Sequence, residues 1–332
     1  MCINISLLQA SYGDSIFISK NGYNILIDGG IAQTYQDFHD RRNPDKPLKL
    51  LIDDLKRKEQ HIDLLIVTHI DDDHIGGIKE WFEYDYPDDD FVREIWMNDD
   101  VVLEDTTKLQ HSPAKAGHLL DMWRQKGRKY CNNIVQGTEC NRGPFYIKVL
   151  APVSKYRNRI AKKISLSLQH SGAVKETDSM AIKDLIDKKW ESDSITNENR
   201  ASIALELSTD GGSKALLLGD AHIEDIMMGL KHFYPNQSTP LQNDSIKLSH
   251  HGSKNNFNPA FLDMVEANEY FVSTNGDRFG HPDKEVVAQI IAKTNSRIGF
   301  NYRDRMESLF IEQDFQDFPN LKDRIFVNSW EL

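Results

Sequence analysis

The run Thr68-His69-Ile70-Asp71-Asp72-Asp73-His74, followed by Ile75-Gly76-Gly77, restricts what this chain can become more than any other stretch. It sets two imidazoles and three carboxylates in one short turn, directly after the apolar run Leu64-Leu65-Ile66-Val67. Unneutralised carboxylates packed this closely repel one another, and a divalent cation relieves the repulsion. The competing reading is a solvated, Asp-rich turn. A mixed His and Asp donor set suits a borderline ion such as Zn²⁺ or a harder one such as Mn²⁺.

The surrounding pattern is one of strands and helices. Ile3–Leu7 and Ser15–Ser19 alternate as half-buried strands do, and Tyr23–Ile27 follows after Asn21-Gly22, a hairpin turn signal. That third strand breaks at Asp28-Gly29-Gly30. Helical patterns are expected at 49–59 and from Ile75 to Tyr84, on either side of a strand at 63–67. A second series of strands is expected at Phe145–Leu150, Ser202–Leu207 and Lys214–Leu218. Two strand series, each followed by helices, predict two packed sheets with helices outside. With no fixed-period repeat and no low-complexity linker, residues 1–332 read as one domain carrying polar insertions at about 84–143 and 154–200.

Three further constellations stand at strand ends. Gly219-Asp220-Ala221-His222 follows an apolar strand, where Asp220 is either a metal-bridging carboxylate or a helix cap. Ser249-His250-His251-Gly252-Ser253 follows Ser245–Leu248, and its paired imidazoles are either ligands or buried structural histidines. Gly280-His281-Pro282 follows Tyr270–Thr274, with a turn carrying a surface His as an equal alternative.

These blocks, taken with Gly13-Asp14-Ser15 and Leu26-Ile27-Asp28-Gly29-Gly30, resemble in kind and order the metallo-β-lactamase superfamily. Asp71 stands where most members of that family have a second His. The His-x-Asp-x-Asp-His version resembles the metallo-β-lactamase-like domain of ComEC-type DNA-uptake competence proteins. The resemblance implies an α/β, four-layer αββα sandwich with the metal site along one edge of the two sheets. It also implies two divalent ions, Zn²⁺ or Mn²⁺. His69 and Asp71 would hold one, Asp73 and His74 the other, and Asp220 would bridge them. His250 would complete the second set, with His251 its competitor. The family's third-motif His has no counterpart, since His118 and His170 fall in the right interval but neither follows a strand. Asp14 and Asp28 would orient the ligands through hydrogen bonds.

A metal-activated hydroxide is the nucleophile that follows, consistent with the lack of any Gly-x-Ser-x-Gly elbow. Asp72 or Asp73 would take a proton from the water, and His281 or His251 would give one to the leaving oxygen. Ser253 and Lys254 are candidate phosphate contacts. The expected activity is that of a phosphodiesterase or nuclease on a nucleic acid or nucleotide. Hydrolysis of a small ester, lactone or amide, and a metal-stabilised interaction module, are the alternatives. A net charge of −11 disfavours holding long nucleic acid by the overall field. Local basic stretches (Arg124, Lys126, Arg128, Lys129; Lys155, Arg157, Arg159, Lys162, Lys163) are either a phosphate track or solvated helix faces. Cys2, Cys131 and Cys140 have no metal-ligand spacing and fit a reducing compartment. No run approaches the ~18 apolar residues of a membrane span. The expectation is therefore a free-standing cytoplasmic chain with no membrane partner.

Overall fold

In a computed structural model the described residues are 3–98, 112–157, 175–192 and 199–329, save positions 38, 41 and 43. Asn21 and Gly22, with φ of 52° and 80°, turn a tight hairpin between β2 (Ile16–Lys20) and β3 (Tyr23–Ile27). Positive φ at both central residues is what a twisted two-residue hairpin requires. β1 (Asn4–Leu7) pairs antiparallel with β2, while β4 (Ile62–Val67) and β5 (Val92–Met97) extend the sheet in parallel beyond β3. β4 is apolar at nearly every position because it is buried on both faces. Leu64 and Ile66 face the other sheet, and Leu65 and Val67 face helices.

The second sheet has eight strands in the order of the chain. β6 (Glu139–Arg142), β7 (Phe145–Ala151), β8 (Ala204–Ser208) and β9 (Lys214–Leu217) are antiparallel. β10 (Leu241–Lys247), β11 (Val265–Val272), β12 (Arg297–Phe300) and β13 (Ile325–Val327) continue in parallel from β9. The inner core joins Ile18, Ile25 and Ile66 of the first sheet to Ile147, Leu205 and Leu217 of the second. Outside the first sheet lie α1 (Pro47–Arg57), α2 (Asp72–Tyr84) and α3 (Ser112–Gln125), bringing Leu51, Trp81, Phe82 and Trp123 to a second core. Two short helices, α4 (Ser154–Arg157) and α5 (Ile182–Ile186), precede α6 (Ile223–Phe233) and α7 (Lys284–Lys293) on the far side. Ile182, Ile226, Val287 and Ile290 belong to the third core there. The expected four layers, αββα, are present.

The stretch 84–143, read from sequence as an insertion, supplies β5 and β6 and, in α3, part of a core. Among the described residues, no helix is long and apolar enough to cross a membrane.

The layer between α2 and the strand ends is tight. Gly29 N–H donates to the His74 carbonyl (2.8 Å) and Gly77 N–H to the Gly30 carbonyl (2.9 Å). A Cβ on Gly77 would collide with the Gly29 carbonyl, backbone against backbone. Gly77→Ala is therefore expected to cost about 3 kcal/mol, the upper part of the usual range for overpacking. The measurement is the urea midpoint at unchanged slope; an unaltered midpoint would mean that α2 can shift freely.

Candidate metal centre

Three strand ends, those of β4, β9 and β10, meet at one edge of the two sheets. β4 delivers Thr68 and His69, and α2 begins at once, so that Asp73 and His74 stand in its first turn, where negative charge suits the helix dipole. β9 delivers Asp220 after Gly219, whose φ is 51°. A Cβ there would lie 2.6 Å from Ser202 Oγ and 2.8 Å from the Ile203 carbonyl, so only glycine lets the chain pass between the sheets. Ile203 N–H donates to the Thr68 carbonyl (3.0 Å), and Asp220 N–H to Ser202 Oγ (3.0 Å). β10 delivers His250 and His251, both left-handed (φ 45° and 56°). Two successive non-glycine residues in that region are strained, and such strain persists where surrounding structure imposes it. His250 N–H is pinned to the Gly219 carbonyl (2.9 Å).

Two donor groups result. His69, His74 and Asp220 form the first, and Asp73, His74 and His251 the second, each with ligand atoms close enough together to share one ion. His69 Nε2 lies 3.8 Å and His74 Nε2 3.4 Å from Asp220 Oδ2. His251 Nε2 lies 3.7 Å from Asp73 Oδ2. Asp71 Oδ2 stands 3.7 Å from His69 Nε2, and His250 Nε2 stands 3.6 Å from Asp220 Oδ2, both on the side of the first group. The buried Nε2 atoms of His69, His74 and His251 and the Oδ1 of Asp220 have no hydrogen-bond partner. Buried polar atoms are nearly always satisfied. Four orphans pointing to one place are what a metal-binding donor set looks like without its ion, and nitrogen and carboxylate oxygen fit Zn²⁺ or Mn²⁺.

The opposite ring nitrogens explain why the Nε2 atoms are free. Asp28 Oδ2 lies 2.8 Å from His74 Nδ1 and accepts from Thr68 Oγ1 (2.6 Å), while Oδ1 accepts from Thr68 N–H (2.8 Å). With its proton given to Asp28, Thr68 Oγ1 is left to accept from His69 Nδ1 (3.0 Å). One carboxylate thus orients two imidazoles. His251 Nδ1 donates to the Ser273 carbonyl (2.7 Å) and stands 3.3 Å from Asp14 Oδ1. Asp14 is paired in turn with the fully buried Lys247. His250 Nδ1 donates to Asn256 Oδ1 (2.9 Å). Asp28→Asn keeps the shape of this support and removes its charge. It is expected to weaken metal binding roughly 10–100-fold, as loss of such outer partners does, which titration with Mn²⁺ or Zn²⁺ under competition by a chelator will read.

The electrostatics follow from crowding. Burial disfavours a charged His74, but Asp220 and Asp28 outweigh it and raise its pKa well above the ordinary value. Burial is likewise outweighed at His251, pushed up to about 9 by Asp14 and Asp73. A cation would take the place of the protons these carboxylates favour. Burial and the neighbouring His74 push His69 down to about 4. Asp73 lies lower than usual, at about 2, because His251 and His74 overcome its desolvation. Desolvation and the facing Asp73 push Asp71 up to about 7. Because the Asp71 side chain is 40% exposed, carboxylate crowding is the better physical account of that rise.

The structure brings together His69, Asp71, Asp73, His74, Asp220, His250 and His251. Of the two adjacent histidines, which stood as alternatives for the second set, it is the competitor that joins that set. His251, expected to protonate a leaving group, joins Asp73 and His74, and His250 faces Asp220 on the other side. The left-handed pair of residues turns the second imidazole inward, with ring centroids 5.7 Å apart. His281 packs against His250 (5.3 Å between centroids) outside both groups, and burial pushes its pKa down to about 4. Asp72 turns away to pair with Lys115. Lys254 Nζ lies 3.5 Å from Glu285, and Ser253 is buried. Arg124 and Arg128 are engaged by Asp121 and Asp89. His170, Arg159, Lys162, Lys163 and the Arg157 side chain lie outside the described residues, and His118 is exposed on α3. Sequence reasoning missed Thr68, Asn256, Ser273 and Lys247. The last had a signal, a lysine within the otherwise buried end of a strand.

Residues 8–85 match the model of the Metallo-beta-lactamase superfamily. No curated protein matches the sequence. Among solved structures, the chain is similar to a possible metal-dependent hydrolase from Veillonella parvula (12% identity, 98% of this chain and 96% of that one, TM-score 0.43). It is similar to the metallo-beta-lactamase fold protein YhfI from Bacillus subtilis (12%, 89% and 95%, TM-score 0.44). It is also similar to an isothiocyanate hydrolase from Delia radicum gut bacteria (13%, 99% and 98%, TM-score 0.42). None is close enough to carry an activity to this chain.

Proposed function

We propose that this chain, whose residues 8–85 match the model of the Metallo-beta-lactamase superfamily, is a metal-dependent hydrolase acting on phosphodiesters, with nucleotides or nucleic acid as the substrate class. The observation that carries the proposal is the convergence of orphaned imidazole nitrogens on three carboxylates, Asp71, Asp73 and Asp220. Two divalent ions would be held, one by His69, Asp71 and His250 and the other by Asp73, His74 and His251, with Asp220 between them. When bound, such ions lower the pKa of a water from about 15.7 toward ~7 and polarise the phosphoryl oxygens. The three carboxylates among these seven donors shift the preference toward Mn²⁺ relative to an all-imidazole set. The His-x-Asp-x-Asp-His loop also resembles that of ComEC-type DNA-uptake competence proteins, which supports the phosphodiester reading.

The chain's own groups do the rest. Asp28, Asp14 and Asn256 fix which face of each imidazole looks inward. Asp71, the most exposed of the donors, is placed to accept a proton from a water at the mouth. The buried strand ends keep bulk water from the floor.

The test is incubation of the purified protein with Mn²⁺ or Zn²⁺ and labelled single-stranded DNA, duplex DNA, RNA and bis(p-nitrophenyl) phosphate, with a lactone and a carboxylic ester as controls. Cleavage of a phosphodiester that Asp73→Ala abolishes supports the proposal. Turnover of the lactone or ester with every phosphodiester untouched would sink it, and tight metal binding with no turnover at all would point to an interaction module.

A further inference from the structure

We propose that Tyr12, Arg278 and Phe279 form a subsite at the mouth of the metal centre that takes a nucleotide unit, its phosphate on Arg278 and its planar base on Phe279. The proposal rests on the phosphodiester reading above and names the substrate group that would be recognised. The Arg278 guanidinium carbon lies 5.0 Å from the centroid of the Tyr12 ring and 5.0 Å from that of Phe279. The arginine thus lies against two aromatic rings and hydrogen-bonds the Tyr12 hydroxyl, contacts that orient its planar fork and leave its remaining N–H groups for an anion. Other cations near this mouth are neutralised: Lys115 by Asp72, Lys175 by Asp283, Lys254 by Glu285. No described carboxylate pairs with Arg278.

Phe279 is 38% exposed, one of three large apolar side chains so exposed among the described residues. Its ring centroid lies 5.9 Å from that of His281, which packs on His250, whose Nε2 faces Asp220. On the other side, Tyr12 precedes Gly13, and a Cβ on Gly13 would collide with the Asp73 carbonyl. The subsite therefore spans the opening from one donor group to the other.

It is also rigid. Asn275 N–H donates to the Ser11 carbonyl (2.9 Å), tying the Arg278 loop to the Tyr12 loop. Buried Arg305 donates to the carbonyls of Gly280 (2.8 Å), His281 (2.9 Å) and Pro282 (3.0 Å) and fixes the far end. An exposed ring on a fixed loop next to an unpaired arginine is the combination that stacks a base while its phosphate is gripped.

The experiment is calorimetric titration of the Mn²⁺-loaded protein with 2′-deoxyadenosine 5′-monophosphate and with 2-deoxyribose 5-phosphate. Wild type should bind the first more tightly. Phe279→Ala should remove that preference, roughly tenfold, and leave the sugar phosphate unaffected. Arg278→Ala should weaken both ligands by roughly tenfold, and Arg278→Lys should restore only part of the loss. Unchanged melting temperatures, expected for side chains at the surface, will separate these effects from misfolding. Wild-type affinities in both alanine variants overturn the subsite, and if phosphodiesters are still cleaved the reaction reading survives that loss. Ligand affinities that depend on both residues while no diester is cleaved leave the subsite standing and overturn the reaction. Absence of binding by either phosphate ester overturns the subsite as well.

Discussion

Asp220→Ala is expected to lower phosphodiester turnover on the order of 10³-fold or more, the scale at which groups acting on developing charge are lost. No other donor faces so many partners: its carboxylate looks at His69, His74 and His250. Desolvation alone would raise its pKa, yet His74 and His250 hold it well below the usual carboxylate range, so it is ionised wherever a cation could bind. Alanine would leave its orphaned oxygen position empty and remove the group that both ions would share. Metal content is the sharper readout, since elemental analysis after gel filtration should fall from the two equivalents proposed for the wild type to one or fewer. Two equivalents retained in the variant would mean that Asp220 bridges nothing.

Lys247→Met should be the most destabilising of the substitutions considered. Lys247 and Asp14 are both sealed from solvent and paired with each other, and removing one partner of a buried pair costs about 3–5 kcal/mol. The pH dependence has a definite sign. Burial acts to raise the Asp14 pKa, but Lys247 and then His251 lower it far below the ordinary value. A depressed carboxylate contributes stability above its unfolded pKa, about 3.9, and loses it as pH falls toward the folded value. The gap between wild type and Lys247→Met should accordingly be widest near neutrality and narrow in acid below about pH 4. Asp14→Asn in addition to Lys247→Met should recover part of the loss, because the uncompensated charge is then gone. A gap independent of pH would mean that methionine disturbs packing rather than charge.

The donor loop could be singled out from sequence because its chemistry is local. His69 through His74 sit within one turn, and strand-to-loop breaks at Gly219 and Gly252 mark the other strand ends. The four layers were legible for a similar reason, since β4 shows in its own residues that it is buried. What could not be read is long-range or conformational. Whether His250 or His251 looks toward Asp73 depends on two positive φ angles that no residue type at those positions dictates. Lys247 meets Asp14 across most of the chain, and Tyr12 meets Arg278 in the same way. β5 was hidden because Arg93 and Glu94 interrupt its apolar pattern, the glutamate turning outward to Arg142.

The two successive left-handed histidines have a mechanical consequence. Each closes a different donor group, yet a single peptide unit joins them, and consecutive Cα atoms are held about 3.8 Å apart whatever the packing does. The interval between the two groups is therefore gauged by a covalent bond on one side and by a single helical turn, from Asp71 to His74, on the other. Thermal breathing of one sheet against the other would tilt the pocket or widen its mouth without stretching that interval. The spacing behaves as a ruler built into the chain rather than as a product of how well the layers fit.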